Sequence, residues 1–315
     1  MKKKRVADRL EEIEAIAREA QSHCRTQQRL KDFTSLGVGG PIAAIVYPES
    51  LIGAAQLAYR LDQSGIRWRV LGHGTKILAS ESQHDYVAIS LRLLNERLII
   101  DGDRIYVHAG YSLPALVDAA AERGLSGLEP LAGITGSVGG ALRMNIGLPG
   151  CVIWRLVENL VIAQAGGVRN VPEPGEVLEI ALACLTDRDL ILAATLRLVV
   201  GERSKVKAQT QRIYQMRATA FPDTKGAASR IFKDTVQATA RRIIDQLGLR
   251  GVSRGGARIS ETHAEFIINE GKATGEDVFE LSDLIRRKAL IEKGLELEYE
   301  IDLWRDEPYR DPDEN

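Results

Sequence analysis

The sequence predicts an α+β protein built in more than one domain, and three observations carry that prediction. The chain of 315 residues is long enough to close two or three hydrophobic cores. Strand-like and helix-like segments interleave along its whole length. A charged stretch at 201–207 interrupts the pattern and marks the main boundary. With 44% hydrophobic and 27% charged residues, the composition is that of an ordinary globular chain.

The elements follow in order. After a basic start, Val6, Leu10, Ile13 and Ile16 recur at helical spacing among charges, so 6–23 reads as an amphipathic helix rather than a signal peptide. The run Leu36-Gly-Val-Gly-Gly-Pro41 is a turn, 43–46 a short strand and 51–65 a helix. A strand at 68–71 stops at Gly72-His-Gly74, and strands are expected at 86–91, 98–100 and 104–109, with a turn at Asp101-Gly-Asp103. A helix over 113–123 ends at Gly124. Strands at 160–164 and 190–199 flank a turn at Gly166-Gly167. Beyond the boundary come a helix over 203–217, a loop over 221–230 and a helix over 236–247. Strands at 258–260 and 264–268, a helix over 275–293 and a final strand over 295–303 follow. The expected division is an N-terminal helix (1–27), a domain over 28–201 split near 92, a domain over 202–304, and a polar, frayed tail over 305–315.

Composition excludes several classes. Lys plus Arg (42) nearly cancels Asp plus Glu (43), so no global field recruits nucleic acid or anionic membrane, and any anion must be held by a local pocket. No window approaches the roughly 20 apolar residues of a membrane span. Cys24, Cys151 and Cys184 are odd in number and far apart, with no metal-ligand spacing. They fit a cytoplasmic protein without a disulfide framework. No heptads signal association, so a monomer is expected.

Two glycine-rich segments stand out. In Val70-Leu-Gly-His-Gly-Thr-Lys76 a strand runs directly into Gly-x-Gly-Thr, where backbone amides can approach a phosphate closely. Leu131-Ala-Gly-Ile-Thr-Gly-Ser-Val-Gly-Gly-Ala-Leu-Arg-Met-Asn145 carries glycines at 133, 136, 139 and 140. It is not a Gly-x-Gly-x-x-Gly fingerprint. Its glycines alternate with Leu131, Ile134, Val138, Leu142 and Met144, which suits an ordered backbone packed inward with amides left for a diphosphate. A tight turn and a bare structural loop are the alternatives.

Taken together in order, these segments carry a resemblance. The chain resembles the UDP-N-acetylenolpyruvoylglucosamine reductase (MurB) family over roughly 28–304. The blocks are Leu36-Gly-Val-Gly-Gly-Pro41, Leu71-Gly-His-Gly-Thr75 and Gly124-Leu-Ser-Gly-Leu-Glu-Pro-Leu-Ala-Gly-Ile-Thr-Gly-Ser-Val-Gly-Gly140, then Met144-Asn145. Gly248-Leu-Arg-Gly251, Gly255-Gly-Ala257, Ser260-x-x-His263-Ala264-x-Phe266-Ile-x-Asn269 and Ala273-Thr274 complete them. The resemblance implies a two-subdomain FAD-binding fold of the vanillyl-alcohol oxidase type, followed by a C-terminal α/β substrate domain, in the family's shorter branch. It implies FAD as cofactor, NADPH as co-substrate, a UDP-sugar substrate and a place in peptidoglycan precursor synthesis. Carried over position by position, the cofactor residues are Gly72, His73, Gly74, Thr75, Lys76, Gly133, Ile134, Gly136, Ser137, Gly139, Gly140 and Asn145. Arg217, Lys233 and Asn269 are implied to touch the substrate.

The implied reaction passes a hydride from NADPH to FAD and on to the enolpyruvyl double bond, and a protein group supplies the proton. Leu295-Glu-Leu-Glu-Tyr-Glu300 resembles the family's final strand, which puts Glu300 at the substrate carboxylate. Phe232-Lys233 matches a family pair, but Arg230 stands where that family has its proton-donating serine, with Ser229 one step back. A bulge would bring Ser229 to the site; a guanidinium is a poor proton donor yet can neutralise a carboxylate. The family's Tyr-Arg-x-Ser motif has no counterpart in 178–189, where Arg188 is the arginine on offer. Two readings stay open: the reductase itself, and a flavin-binding relative with another substrate or with lost catalysis. His263 reads as a packing residue, and His73 and His108 as structural or flavin-adjacent ones.

Overall fold

The computed structural model describes residues 6–94, 97–148, 151–164, 167–172, 185–186, 188–220 and 228–305. It separates into two compact units. Unit 1 takes in 1–26, 43–73 and 85–218, and unit 2 takes in 27–42, 74–84 and 219–315. Each has its own apolar core.

Unit 1 is organised by two sheets. One has the order Ser22–Arg29, Pro41–Pro48, His84–Ser90, Trp68–Leu71, and its last two strands run parallel, with Leu71 beside Ser90. The other is antiparallel, in the order Gly167–Pro172, Val157–Gln164, Leu190–Arg197, Arg104–His108, Leu98–Asp101. Helix Leu51–Gln63 starts where the Ser50 hydroxyl accepts from the Gly53 amide, and it buries Ala54, Leu57, Ala58 and Leu61. Helix Leu113–Glu122 has proline in its first turn and buries Leu113, Leu116, Val117, Ala120 and Ala121. Both lie within two residues of their expected bounds, because capping and periodicity agree.

In unit 2 an antiparallel sheet has the order Ala228–Arg230, Phe266–Asn269, Ala257–Ile259, Ser253–Arg254, and Asp302–Trp304 pairs parallel with Ile77–Ala79. Helix Gly275–Lys293 runs as expected. Thr274 and Asp277 form a capping box at its start, and Gly294, at φ 64°, ends it in the left-handed region. The core gathers Leu36, Val38, Leu78, Phe232, Ile243, Ile267, Phe279 and Leu281.

Five expectations are corrected. The N-terminal helix stops at Glu19; Gln21, at φ 48°, turns the chain into the strand Ser22–Arg29. That strand is too polar, SHCRTQQR, to register as one by hydrophobic alternation. The change of unit falls after Ala218 rather than at 201: most of helix Arg203–Ala220 goes with unit 1, where Val206 and Thr210 are buried and Ile213 and Tyr214 pack on the core. Segments 27–42 and 74–84 join unit 2, a discontinuity no linear reading resolves. The expected strand over 295–303 shrinks to Asp302–Trp304, preceded by a single bridge between Tyr299 and Phe232. The helix expected over 236–247 begins only at Ala240, because Thr239 caps it and Asp234 accepts from the Ala240 amide. Of the loop expected over 221–230, residues 228–230 form a strand and residues 221–227 lie outside the described residues, as do Gly166, residues 306–315 and most of 178–189. Among the described residues no helix is long and apolar enough to cross a membrane.

Candidate cofactor and active site

In unit 1 the first glycine segment meets the second. The chain leaves strand Trp68–Leu71 through Gly72, where a Cβ would lie 3.0 Å from the Ser137 hydroxyl. The His73 imidazole reaches the carbonyls of Gly110 and Gly136; burial, then Arg92, hold its pKa below the ordinary value although both carbonyls favour the charged form. Beside them the backbone of 109–113 runs against 136–139. Leu113 donates to Gly136 (3.0 Å), Val138 to Tyr111 (2.9 Å) and Gly139 to Ala109 (2.8 Å). A Cβ at Gly139 would sit 2.9 Å from that of Ala109, so Gly139 permits this approach of two main chains. Ser137 caps helix Val138–Arg143 by accepting from the Gly140 amide at 3.2 Å.

The result is a bend rich in amides. Gly133 and Gly136 have φ of 80° and 132°. Among the described residues the amides of Thr135, Gly136 and Ser137 donate to no protein acceptor. Successive unpaired amides on a turn attract an anion, so these residues fit a diphosphate group. Ile134 leans on the unit 1 core. Asn145, at φ 46°, spends its side-chain oxygen on the Trp154 amide (3.2 Å), a structural duty that the cofactor assignment did not foresee.

Arg217 was expected at the substrate. Its guanidinium donates to the Pro130 carbonyl at 2.7 Å, and its Cδ would lie 3.1 Å from a Cβ at Gly133. It therefore braces the glycine bend inside unit 1. Arg188, the arginine offered for the missing motif, pairs with Asp62 and lies 6.0 Å from the Trp68 ring centre.

His73 carries a pH signature. Its unfolded pKa is near the ordinary 6.5 and its folded value is lower. Between the two the unfolded chain binds more protons, so stability falls as pH falls below about 6.5. Thermal melts from pH 7.5 to 5 should show a shallower decline for His73→Gln than for the parent; parallel curves would remove this role.

Unit 2 holds the charged cluster. Gly74, at φ 72°, accepts from the Ser35 amide (2.9 Å). Two residues on, the Lys76 carbonyl accepts from Asp302 (2.9 Å), while the Glu300 amide donates to Ile231 (2.7 Å). These backbone ties bring three side chains together. The Lys76 ammonium lies 2.5 Å from one Glu300 oxygen and the Arg230 Nε lies 2.8 Å from the other. Arg230 also reaches Asp234 at 3.1 Å. With Glu300 only 24% exposed, the pairs are less screened than surface ones. Lys76 was expected among the cofactor residues; its ammonium instead joins Glu300. Lys76 and Asp234 as partners of this carboxylate and this guanidinium were not anticipated, since residues 76, 234 and 300 meet only through the fold. Thr75, between Gly74 and Lys76, is half-buried.

Ser229 does not join them. Strand Ala228–Arg230 pairs in unbroken register, Ser229 with Ile267 and Arg230 with Phe266. No bulge is present, so the buried Ser229 side chain lies on the face opposite Arg230. Ser229→Ala is expected to leave kcat within about twofold, a change small against the losses seen for true acid–base groups; a tenfold drop would restore it as donor. Lys233 pairs with Glu298 on the surface (3.0 Å). Asn269 is buried and spent on backbone, donating to Leu36 (2.7 Å) and accepting from Gly271 (2.8 Å) and Ala273 (2.9 Å). His263 is a packing group, its ring edge-on to Phe266 and 3.3 Å from Arg241.

Comparison with known proteins places these features in a family. Residues 221–304 match the family described as UDP-N-acetylenolpyruvoylglucosamine reductase, C-terminal domain, and residues 41–178 match the FAD binding domain family. A Trichlorobacter lovleyi protein named UDP-N-acetylenolpyruvoylglucosamine reductase is 38% identical over 275 residues, covering 85% of this chain and 89% of its own. The chain belongs to the UDP-N-acetylenolpyruvoylglucosamine reductase family. A relative of the same name from Fervidobacterium nodosum is 34% identical across 88% of this chain and 91% of its own. The crystal structure of the Thermus caldophilus reductase of this family superimposes with a TM-score of 0.73 at 28% identity, covering 90% of this chain and 99% of that one. The α+β class, with an FAD-binding domain followed by the family's C-terminal domain, is as expected from the sequence. This family member is thereby an FAD-dependent oxidoreductase by descent.

Proposed function

We propose that the chain reduces UDP-N-acetylglucosamine enolpyruvate to UDP-N-acetylmuramate with electrons from NADPH, supplying a peptidoglycan precursor. FAD, when bound, supplies the hydride chemistry that no side chain can perform. The observation that carries the reading is the bend in unit 1, where the Thr135, Gly136 and Ser137 amides have no protein acceptor and Gly72 and His73 close beside it. These residues hold the diphosphate of the cofactor, with Gly139 and Gly140 setting the curvature behind them.

In unit 2, Lys76 and Arg230 both reach the Glu300 carboxylate, and Arg230 also pairs with Asp234. Lys76 and Arg230 keep further donor hydrogens with which to bind another anion, and the enolpyruvyl carboxylate is the anion of this substrate. Glu300 keeps both cations oriented before substrate arrives. Of the two, an ammonium can deliver a proton whereas a guanidinium cannot, which makes Lys76 or a water beside it the acid at this cluster. Arg230, in place of a hydroxyl donor, also favours a second reading, a family member that binds flavin but acts on another substrate.

Anaerobic stopped-flow mixing separates the two. NADPH should bleach the flavin of the purified protein, and UDP-N-acetylglucosamine enolpyruvate should then restore its absorbance within the turnover time. Bleaching without restoration selects the second reading; a preparation that takes up no flavin ends both.

A further inference from the structure

Helix Arg203–Ala220 touches the glycine bend at its least ordinary residue. The Tyr214 ring packs on Gly133, its Cδ1 3.5 Å from where a Cβ would lie, and its phenol stands within reach of the Gly133 amide while facing the Asp118 carboxylate at 3.3 Å. Burial first, then Asp118, push the phenol's pKa up, so it stays a neutral donor. Asp118 stands on helix Leu113–Glu122, whose first amide, Leu113, donates to Gly136. Bend 133–136 is therefore fastened twice to one helix, directly at Gly136 and through Tyr214 at Gly133. Between the two fastenings lie Ile134 and Thr135. The amides of Thr135 and Gly136, with that of Ser137 just beyond, are those without a protein acceptor. Arg217, one turn along the helix from Tyr214, pins Pro130 ahead of the bend.

We infer that Tyr214 is a positioning residue for the cofactor's diphosphate: its hydroxyl, held by Asp118, fixes the Gly133 peptide and thereby aims the amides of 135–137 at one point. The inference rests on the flavin reading above. The physical case is one of preorganisation. A glycine-rich bend has the widest backbone freedom of any segment, and an anion bound by amides loses affinity when their convergence must be formed at binding. A hydroxyl that bonds on both sides removes that freedom at Gly133 without touching the ligand.

The test is flavin affinity, read by quenching of FAD fluorescence as the cofactor-free protein is titrated. Tyr214→Phe keeps the ring against Gly133 and removes both hydrogen bonds, so Kd for FAD should rise about tenfold, with a shift in the bound flavin's visible spectrum. Asp118→Asn should raise Kd less, since the amide still accepts from the phenol. At saturating FAD, kcat should stay within about twofold of the parent. Thr210→Val, which removes a buried hydroxyl of the same helix that, among the described residues, bonds to the Val206 carbonyl, serves as the stability control. Equal weakening in Thr210→Val and Tyr214→Phe, or Kd unchanged in Tyr214→Phe while the parent binds FAD, would overturn the inference. A parent that binds no FAD overturns the flavin reading itself, and this inference with it.

Discussion

Glu300→Gln is expected to lower kcat by about 10²–10³-fold, the loss typical of removing one preorganised electrostatic group from a catalytic site. The substitution keeps shape and removes charge. Lys76 and Arg230 then lack the carboxylate that holds them at 2.5 and 2.8 Å, and each is free to seek other partners, Asp234 first for Arg230. With one negative charge removed, the cluster attracts the substrate carboxylate at least as strongly as before, so KM for the UDP-sugar should not rise. Flavin content should match the parent, because the glycine bend lies in unit 1. Glu298→Gln is the control: Glu298 is 73% exposed and pairs with Lys233 at the surface, so its loss should cost less than about 1 kcal/mol and leave the rate intact. A Glu300→Gln enzyme with parental kcat would remove the charged cluster from the chemistry.

Gly74→Ala should be the most damaging single substitution in the glycine segments. At φ 72° a Cβ is strained, and here it would lie 1.8 Å from the Phe33 carbonyl oxygen, a main-chain atom that also precedes the Ser35–Gly74 hydrogen bond. The left-handed conformation costs about 1 kcal/mol and overpacking against backbone a further 1–3 kcal/mol. For a domain of this size that corresponds to a fall in Tm on the order of 5–15 °C. Gly248→Ala separates the two contributions, since Gly248 shares the conformation at φ 65° but has open space around it. It should lose only the backbone part. Equal melting temperatures for the two variants would show that the 33–35 backbone moves aside cheaply.

Much of the architecture was legible locally. Helix Gly275–Lys293 was placed to the residue, since a Thr–Asp box, apolar spacing and a terminal glycine all speak within twenty positions. Strand Trp68–Leu71 was equally clear, bounded by a glycine pair. Strand Ser22–Arg29 was not, because its sequence offers no apolar face. Glu300 could be singled out by resemblance, but Lys76 as its partner could not. Ser229 looked available as long as a bulge was conceivable, and only the pairing with Ile267 removes it from the Arg230 face.

The interleaving of strand-like and helix-like segments was by itself enough for the α+β character, and the order of glycine blocks carried the resemblance that implied the family and the cofactor class, because both rest on residues close in the sequence. Which side chains share a site was decided by tertiary structure. Residues 76, 230 and 300 are joined by one carboxylate, and Gly133 is joined to Tyr214 by one phenol. Such pairings depend on where distant backbones are pinned, through bonds such as Asp302 to Lys76 and Glu300 to Ile231. A main-chain hydrogen bond takes almost any residue type, so it leaves no trace in the sequence that forms it.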